Sequence, residues 1–427
     1  MSNKETTKNS DIQQTIIVGA GTLIGAFFSY LLQFVLGRKL SVSDYGSFNV
    51  LLSLSSLVSV PISVFGISLI KIVSELYVRG EKGKMKKLFL KLSVASLLLG
   101  FVFTSVFFFL RFRISSGFKV ESVPSITLFA VLLGLGFLST LPPVYLQGLQ
   151  KFKKYSAYQV LGSFNRFVIP TLLVFAGFGL VGVFGGMVGA ALLTFVLSLL
   201  LIRGSFKVTG SESFNLNEYY KKLISFSLPV LFVNFFLIAL NNMDLIMVKR
   251  FFSGLDAGYY AGTATLGKIF LFGSGAVSVI MFPKITGLYA KGEGYLKEFK
   301  KLTSLLIFIV IAGVICYHIF PQLLTHLFFG KTFENSIQFL PLFSIFIGLY
   351  ILISFFVMFF LAIDKKKVSL LLLPGVLLQY ILLNIYHVSL FQVIWVNIII
   401  CIITLSLLII YLYAQVIKCP KILQIKN

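Results

Sequence analysis

Arg38-Lys39-Leu40-Ser41-Val42-Ser43-Asp44-Tyr45-Gly46-Ser47-Phe48 returns 212 positions later, with Arg250, Asp256 and Gly258 in register and Tyr260 opposite Phe48. The match runs on: Leu76-Tyr77-Val78-Arg79-Gly80-Glu81 lies opposite Leu288-Tyr289-Ala290-Lys291-Gly292-Glu293 at the same offset. Shared hydrophobicity does not produce agreement at Asp, Gly, Glu and basic positions. The chain is therefore two like halves.

Both halves read as membrane-embedded. Hydrophobic residues make up 58% of the chain and charged ones 12%, and the mean hydropathy is +0.97, which leaves too little charge for a soluble domain. Apolar runs long enough to cross about 30 Å of hydrocarbon recur about twelve times, from Ile16–Leu36 and Phe48–Ile70 to Val393–Tyr413. They are continuous and not alternating, so they predict helices and not barrel strands. Six crossings per half return the chain to the same side, so the fold class expected is an all-α integral membrane protein of two parallel six-helix repeats around a central cavity, an architecture typical of transporters. The expected divisions are a tail at 1–15, an N-lobe at 16–202, a linker at 203–222, a C-lobe at 223–413 and a tail at 414–427. The first run lacks a small-residue cleavage pattern and reads as a retained helix.

Charge sets the orientation. With the N-terminus inside, 26 of the 37 basic residues fall on inner segments and eight on outer ones, so both termini are expected in the cytoplasm. The net charge of +23 sits on short loops beside helix ends, which suits anionic membrane lipids and not nucleic acid.

Motifs of soluble chemistry fail on inspection. Gly19-Ala20-Gly21-Thr22-Leu23-Ile24-Gly25 is one residue too long for a dinucleotide fingerprint and follows no strand. It reads as a close-packing helix face, like Gly182 with Gly186 and Gly185 with Gly189. Gly330-Lys331-Thr332 lacks the first glycine of a nucleotide loop, since Thr325 stands there. His318, His326 and His387 have no metal-ligand spacing, and Cys316, Cys401 and Cys419 imply no disulfide framework. No cofactor, metal or catalytic constellation is expected, and the chain does not read as an enzyme.

What remains are ionisable groups inside apolar runs, each costing about 2.5–3.5 kcal/mol on insertion scales. Arg166 is nominated for substrate binding, on a face with Gln159, Gly162 and Ser163. Pro170, four residues on, removes an N–H from that turn and should weaken or bend the helix. Lys268, in the other half, is the second cation nominated; the structural alternatives are that Arg166 pairs with a carbonyl or hydroxyl on a neighbouring helix and that Lys268 snorkels. Lys71 lies within a turn of Glu75, as an interfacial pair or a substrate contact. Asp244 is the candidate ion-coupling group, unless Lys249 and Arg250 neutralise it. Asp44 and Asp256 look like helix N-caps.

Gly37-Arg38-Lys39-Leu40 followed by Asp44-Tyr45-Gly46-Ser47-Phe48 resembles the opening of polysaccharide-biosynthesis flippases, the Wzx-like branch of the MATE/MOP exporter superfamily. Gln147-Gly148-Leu149-Gln150-Lys151-Phe152, Ser227-Leu228-Pro229 leading to Asp244, and Asp256-Ala257-Gly258-Tyr259-Tyr260 with Phe282-Pro283 extend the resemblance over about Thr15 to Tyr413. It implies two six-helix lobes enclosing a cavity, and outward movement of polyisprenyl-linked sugars by alternating access in the cell membrane. Glycan polymerase and glycosyltransferases are the implied partners. The two additional helices of some relatives are missing. A drug or organic-ion antiporter of the same fold would place carboxylates at mid-membrane, where this chain has cations. A membrane-embedded glycan polymerase would need a sizeable outer loop.

Overall fold

The computed structural model describes residues 2–202 and 216–414. In chain order the helices are α1 (Ser2–Lys39), α2 (Val42–Val58), α3 (Val60–Val78), α4 (Lys82–Phe118), α5 (Val123–Ser139), α6 (Leu141–Gly148), α7 (Phe152–Phe175) and α8 (Gly179–Ile202). Then come α9 (Leu216–Phe251), α10 (Gly254–Ala290), α11 (Leu296–Ile319), α12 (Pro321–Phe329), a 3-10 segment at Lys331–Phe339, α13 (Leu340–Ala362), α14 (Val368–Ile385) and α15 (Leu390–Leu412). Among the described residues, eleven helical spans are long and apolar enough to cross a membrane. α7, at 24 residues, is long enough to span at about 1.5 Å per residue but is not among them, being more polar with Lys153, Lys154, Gln159, Asn165 and Arg166.

The repeat is visible in backbone detail. Ser41 and Ser253, not the aspartates, cap α2 and α10: the Asp44 and Asp256 amides each donate to the serine hydroxyl at 3.1 Å, and each hydroxyl donates back to the carboxylate, at 2.9 and 2.7 Å. The expected Asp N-caps are thus third-position partners of the capping serine hydroxyls, where a carboxylate also suits the helix dipole. At the far end, Gly80 and Gly292 both take φ 73°. Each closes the same turn, with Glu81 N donating to Leu76 O at 3.0 Å and Glu293 N to Leu288 O at 2.9 Å, a left-handed helix stop that glycine adopts without strain.

Between these ends the halves differ. α10 runs unbroken for 37 residues, whereas the run expected at 48–70 divides into α2 and α3 at Ser59. Pro61 stands at the start of α3, where a missing N–H is tolerated.

The chain forms two compact units. The first comprises 1–44 and 58–228; the second comprises 45–57 and 229–427. Segment 45–57 of α2 therefore packs with the later residues, whereas the chain before and after it packs with the earlier ones. The expected linker falls largely outside the described residues, as do Ser211 and Cys419.

In the first unit, small residues bring helices close. A Cβ on Gly25 would meet Ser163 Oγ at 2.9 Å, and one on Gly100 would meet Gly134 O at 2.5 Å, so α1 packs on α7 and α4 on α5 through backbone approach. Gly186 packs against Pro170 in the same way, but Gly185 and Gly189 make only ordinary contacts, so they are not part of a tight face. α7 continues through Pro170. An apolar core of Leu69, Val73, Leu76, Leu88, Tyr145 and Leu146 joins α3, α4 and α6.

In the second unit α13 is the central helix, burying Phe343, Phe346, Phe355, Phe359 and Phe360. Tyr45 of α2 inserts there fully buried, its ring edge-on to Phe329 and Phe333 and its hydroxyl 2.9 Å from Thr265 Oγ1. Beside it a Cβ on Gly46 would lie 2.8 Å from Gly258 N, so the paired glycines of the repeat let α2 and α10 cross in backbone contact.

Candidate functional site

The first unit carries three of the nominated residues. α7 is held by α1, through Gly21 over Ser156, Gly25 over Ser163 and Phe28 against Phe164 and Phe167. On another side α8 holds it, through Gly162 against Thr194 and the Asn165 amide donating to Thr194 Oγ1 at 3.1 Å. Leu161, Phe164, Leu172 and Phe175 are its exposed apolar residues. At about 100° per residue they fall roughly 160–240° from Arg166, so the arginine projects from the face opposite the apolar stripe.

Arg166 is exposed there, and its guanidinium has no hydrogen-bond or ion-pair partner among the described residues. Five donors are left for a ligand or for water. Gln159 shares the face two turns away, with its Nε2 donating to the Tyr155 hydroxyl at 3.0 Å. Ser163 and Gly162, expected on the same polar stripe, are instead turned into α1 and α8. The available stripe is Tyr155, Gln159 and Arg166. Sequence reasoning missed Tyr155, although it lies four residues before Gln159, the spacing that places both on one helix face.

Lys71 sits on α3. The opposite face, Leu69, Ile72, Val73 and Leu76, enters the apolar core, leaving Lys71, Ser74, Glu75 and Arg79 to line a cavity of about 600 Å³ together with Ile67 and Val78. Beyond the α3 C-terminus, burial and then the charges of Lys154 and Lys82 push the Lys151 ammonium below its ordinary value. This end of the unit is strongly electropositive.

The second unit holds Lys268 and Asp244, and holds them together. Asp244 is buried on α9 and accepts from the Tyr260 hydroxyl of α10 at 2.6 Å. Lys268 Nζ, also on α10, donates to Asn242 Oδ1 at 2.9 Å, and its charge acts on Asp244. Arg250, one of the two cations offered as neutralising Asp244, lies over the Phe251 ring at 5.3 Å. Lys268 does not snorkel: it is fixed between α10 and α9. Gln379 of α14 extends the polar layer, donating to Asn397 Oδ1 of α15 at 2.9 Å and to Leu240 O at 3.0 Å. Tyr260, Asn242, Gln379 and Asn397 were missed as a group, because only contacts between distant helices assemble them.

Comparison with known proteins follows the same lines. Residues 35–338 match the family described as polysaccharide biosynthesis protein. No curated protein matches the sequence. Among solved structures, the chain is similar to an inward-facing multidrug resistance MATE family transporter of the MOP superfamily, with TM-score 0.73 and 14% identity over 90% of this chain and 94% of that one. It is similar to the lipid II flippase MurJ in an inward closed conformation, with TM-score 0.68 and 15% identity over 93% and 87%. A MOP superfamily transporter from Pyrococcus furiosus aligns with TM-score 0.58 and 13% identity over 93% of each chain. The fold is that of MATE/MOP transporters.

Proposed function

Because the chain belongs to the polysaccharide biosynthesis protein family and has the fold of multi-pass MOP superfamily transporters, we propose that it is a flippase for lipid-linked oligosaccharide. It moves a polyisoprenyl phosphate or diphosphate sugar from the inner to the outer leaflet of the cell membrane by alternating access. The observation that carries this reading is the guanidinium of Arg166, without a partner among the described residues, on the polar face of a membrane-length helix. A phosphate cannot enter hydrocarbon uncompensated, and Arg offers it a bidentate fork. Lys71 and Arg79, lining their cavity among apolar side chains, suit the first contact with a phosphate whose lipid tail stays in the bilayer.

Outward movement of an anion is favoured by an inside-negative potential by about 2.3 kcal/mol per charge per 100 mV. No nucleotide hydrolysis is required. Lys268 supplies the cation of the second half, and Asp244 beside it is the group for ion coupling. Anionic lipids gather at the lysine-rich inner loops, and the glycan polymerase and glycosyltransferases act on either side of the step.

Purified protein in proteoliposomes should move a fluorescent polyprenyl-diphosphate oligosaccharide between leaflets, measured by quenching from outside. Quenching no faster than in protein-free vesicles would remove the assignment, and movement of organic cations instead would favour an antiporter.

Topology has its own check. Cysteines at Ser43 and Ser253 should react with an impermeant reagent added to intact cells, and one at Gly83 should not, because basic residues concentrate on the inner loops. Labelling at Gly83 would reverse the orientation and with it the direction of transport.

A further inference from the structure

We infer that Gln159, oriented by Tyr155, binds the first sugar of the lipid-linked substrate while Arg166 holds its phosphate. This inference rests on the flippase reading. The Gln159 amide is only half used: Nε2 donates to Tyr155, and Oε1 is buried with no partner among the described residues. Turning the amide over exchanges its two ends and leaves Nε2 in place of Oε1. In either setting one polar group, shielded from solvent, waits for a hydrogen bond. An ionised phosphate has no proton to donate, whereas a sugar hydroxyl both donates and accepts and fits either setting.

The spacing agrees with one ligand covering both residues. Gln159 and Arg166 are separated by two turns of α7, about 10 Å at about 1.5 Å per residue, the span of a diphosphate with its first sugar ring. Gln159 also lies on the Lys151 side of Arg166, the inner side in the proposed orientation. A lipid-linked sugar entering from the inner leaflet points its glycan that way. Ser163 and Gly162, the polar and small residues between them, are closed off by α1 and α8. The neutral subsite therefore narrows to Gln159 and its tyrosine.

Binding measurements on the full chain in nanodiscs separate the two roles. The probes are polyprenyl diphosphate and the same lipid carrying one N-acetylhexosamine. Gln159→Leu should weaken the glycosylated probe about tenfold, the worth of one hydrogen bond, and leave the sugar-free probe unchanged. Tyr155→Phe, which removes only the orienting hydroxyl, should show the same selectivity to a smaller degree, and Gln159→Asn should not rescue it because the amide is withdrawn from the stripe. Arg166→Ala should weaken both probes alike. If neither probe responds to Gln159→Leu, or both respond equally, the sugar subsite is wrong while the Arg166 result decides the phosphate role separately. If Arg166→Ala leaves both probes unchanged, the phosphate reading falls and takes this subsite with it.

Discussion

Arg166→Ala is expected to abolish surface glycan in a complementation assay while the protein remains at normal abundance in the membrane. The side chain is exposed and touches no polar partner among the described residues, so its removal leaves no buried group stranded. A charge-assisted bond to phosphate contributes about 1.5–3 kcal/mol, and more where water is excluded. Transport should fall by at least tenfold to a hundredfold on that basis alone. Arg166→Lys should retain part of the activity, since the charge survives and the fork does not. Lys268→Gln should behave differently from Arg166→Ala: it removes the cation beside buried Asp244, and an uncompensated buried carboxylate lowers stability. Reduced abundance is expected there. Full complementation by Arg166→Ala would make that residue a bystander.

A disulfide between cysteines placed at Ser47 and Tyr259 is expected to stop transport, and a reductant to restore it. These positions follow Gly46 and Gly258, whose backbones are in contact where α2 crosses α10. Tyr45 is anchored alongside by Thr265, Phe329 and Phe333. Both positions lie within one compact unit, so in the proposed cycle it is α2 that must move against α10 inside that unit to release the glycan. A disulfide, with its narrow range of permitted geometries, would hold the crossing shut. Efficient cross-linking with undiminished transport would show that α2 and α10 stay together throughout the cycle, and a gate at this crossing would have to be given up.

Much of this molecule was legible in its sequence, for identifiable reasons. The doubled architecture could be read because turn chemistry is local: serine, aspartate and glycine act within four residues of themselves, so Ser41-Val42-Ser43-Asp44 and Gly80 announce the same caps as their counterparts. Two local details departed from that reading: the serine, not the aspartate, is the cap, and the run at 48–70 breaks at Ser59 into two helices. Arg166 could be singled out because a cation in an apolar run is conspicuous. The fate of Gly162 and Ser163 was hidden, since which flank of α7 meets α1 or α8 depends on residues over a hundred positions away. Asp244 and Lys268 stood out for the same reason as Arg166, but their polar partners Tyr260, Asn242, Gln379 and Asn397 did not, because distant helices bring them together. The positions 212 residues before Asp244, Tyr260 and Lys268 are Leu32, Phe48 and Ser56, so this chemistry belongs to one half alone and the repeat carries no sign of it.

Segment 45–57 has a consequence for biogenesis. It leaves the ribosome early, between α1 and α3, yet its packing partners begin at Pro229, after the whole of the first unit has been made. Until then Tyr45, Phe48 and Asn49, all buried in the finished protein, have no native neighbours to receive them. The first half must therefore enter the bilayer with one helix held in reserve, and long-range pairing of this kind is slow to form. Cutting the chain at the inter-unit linker would not yield two complete pieces. A first half made alone would display an undocked helix, and a second half made alone would keep an empty slot lined by Thr265, Phe329 and Phe333.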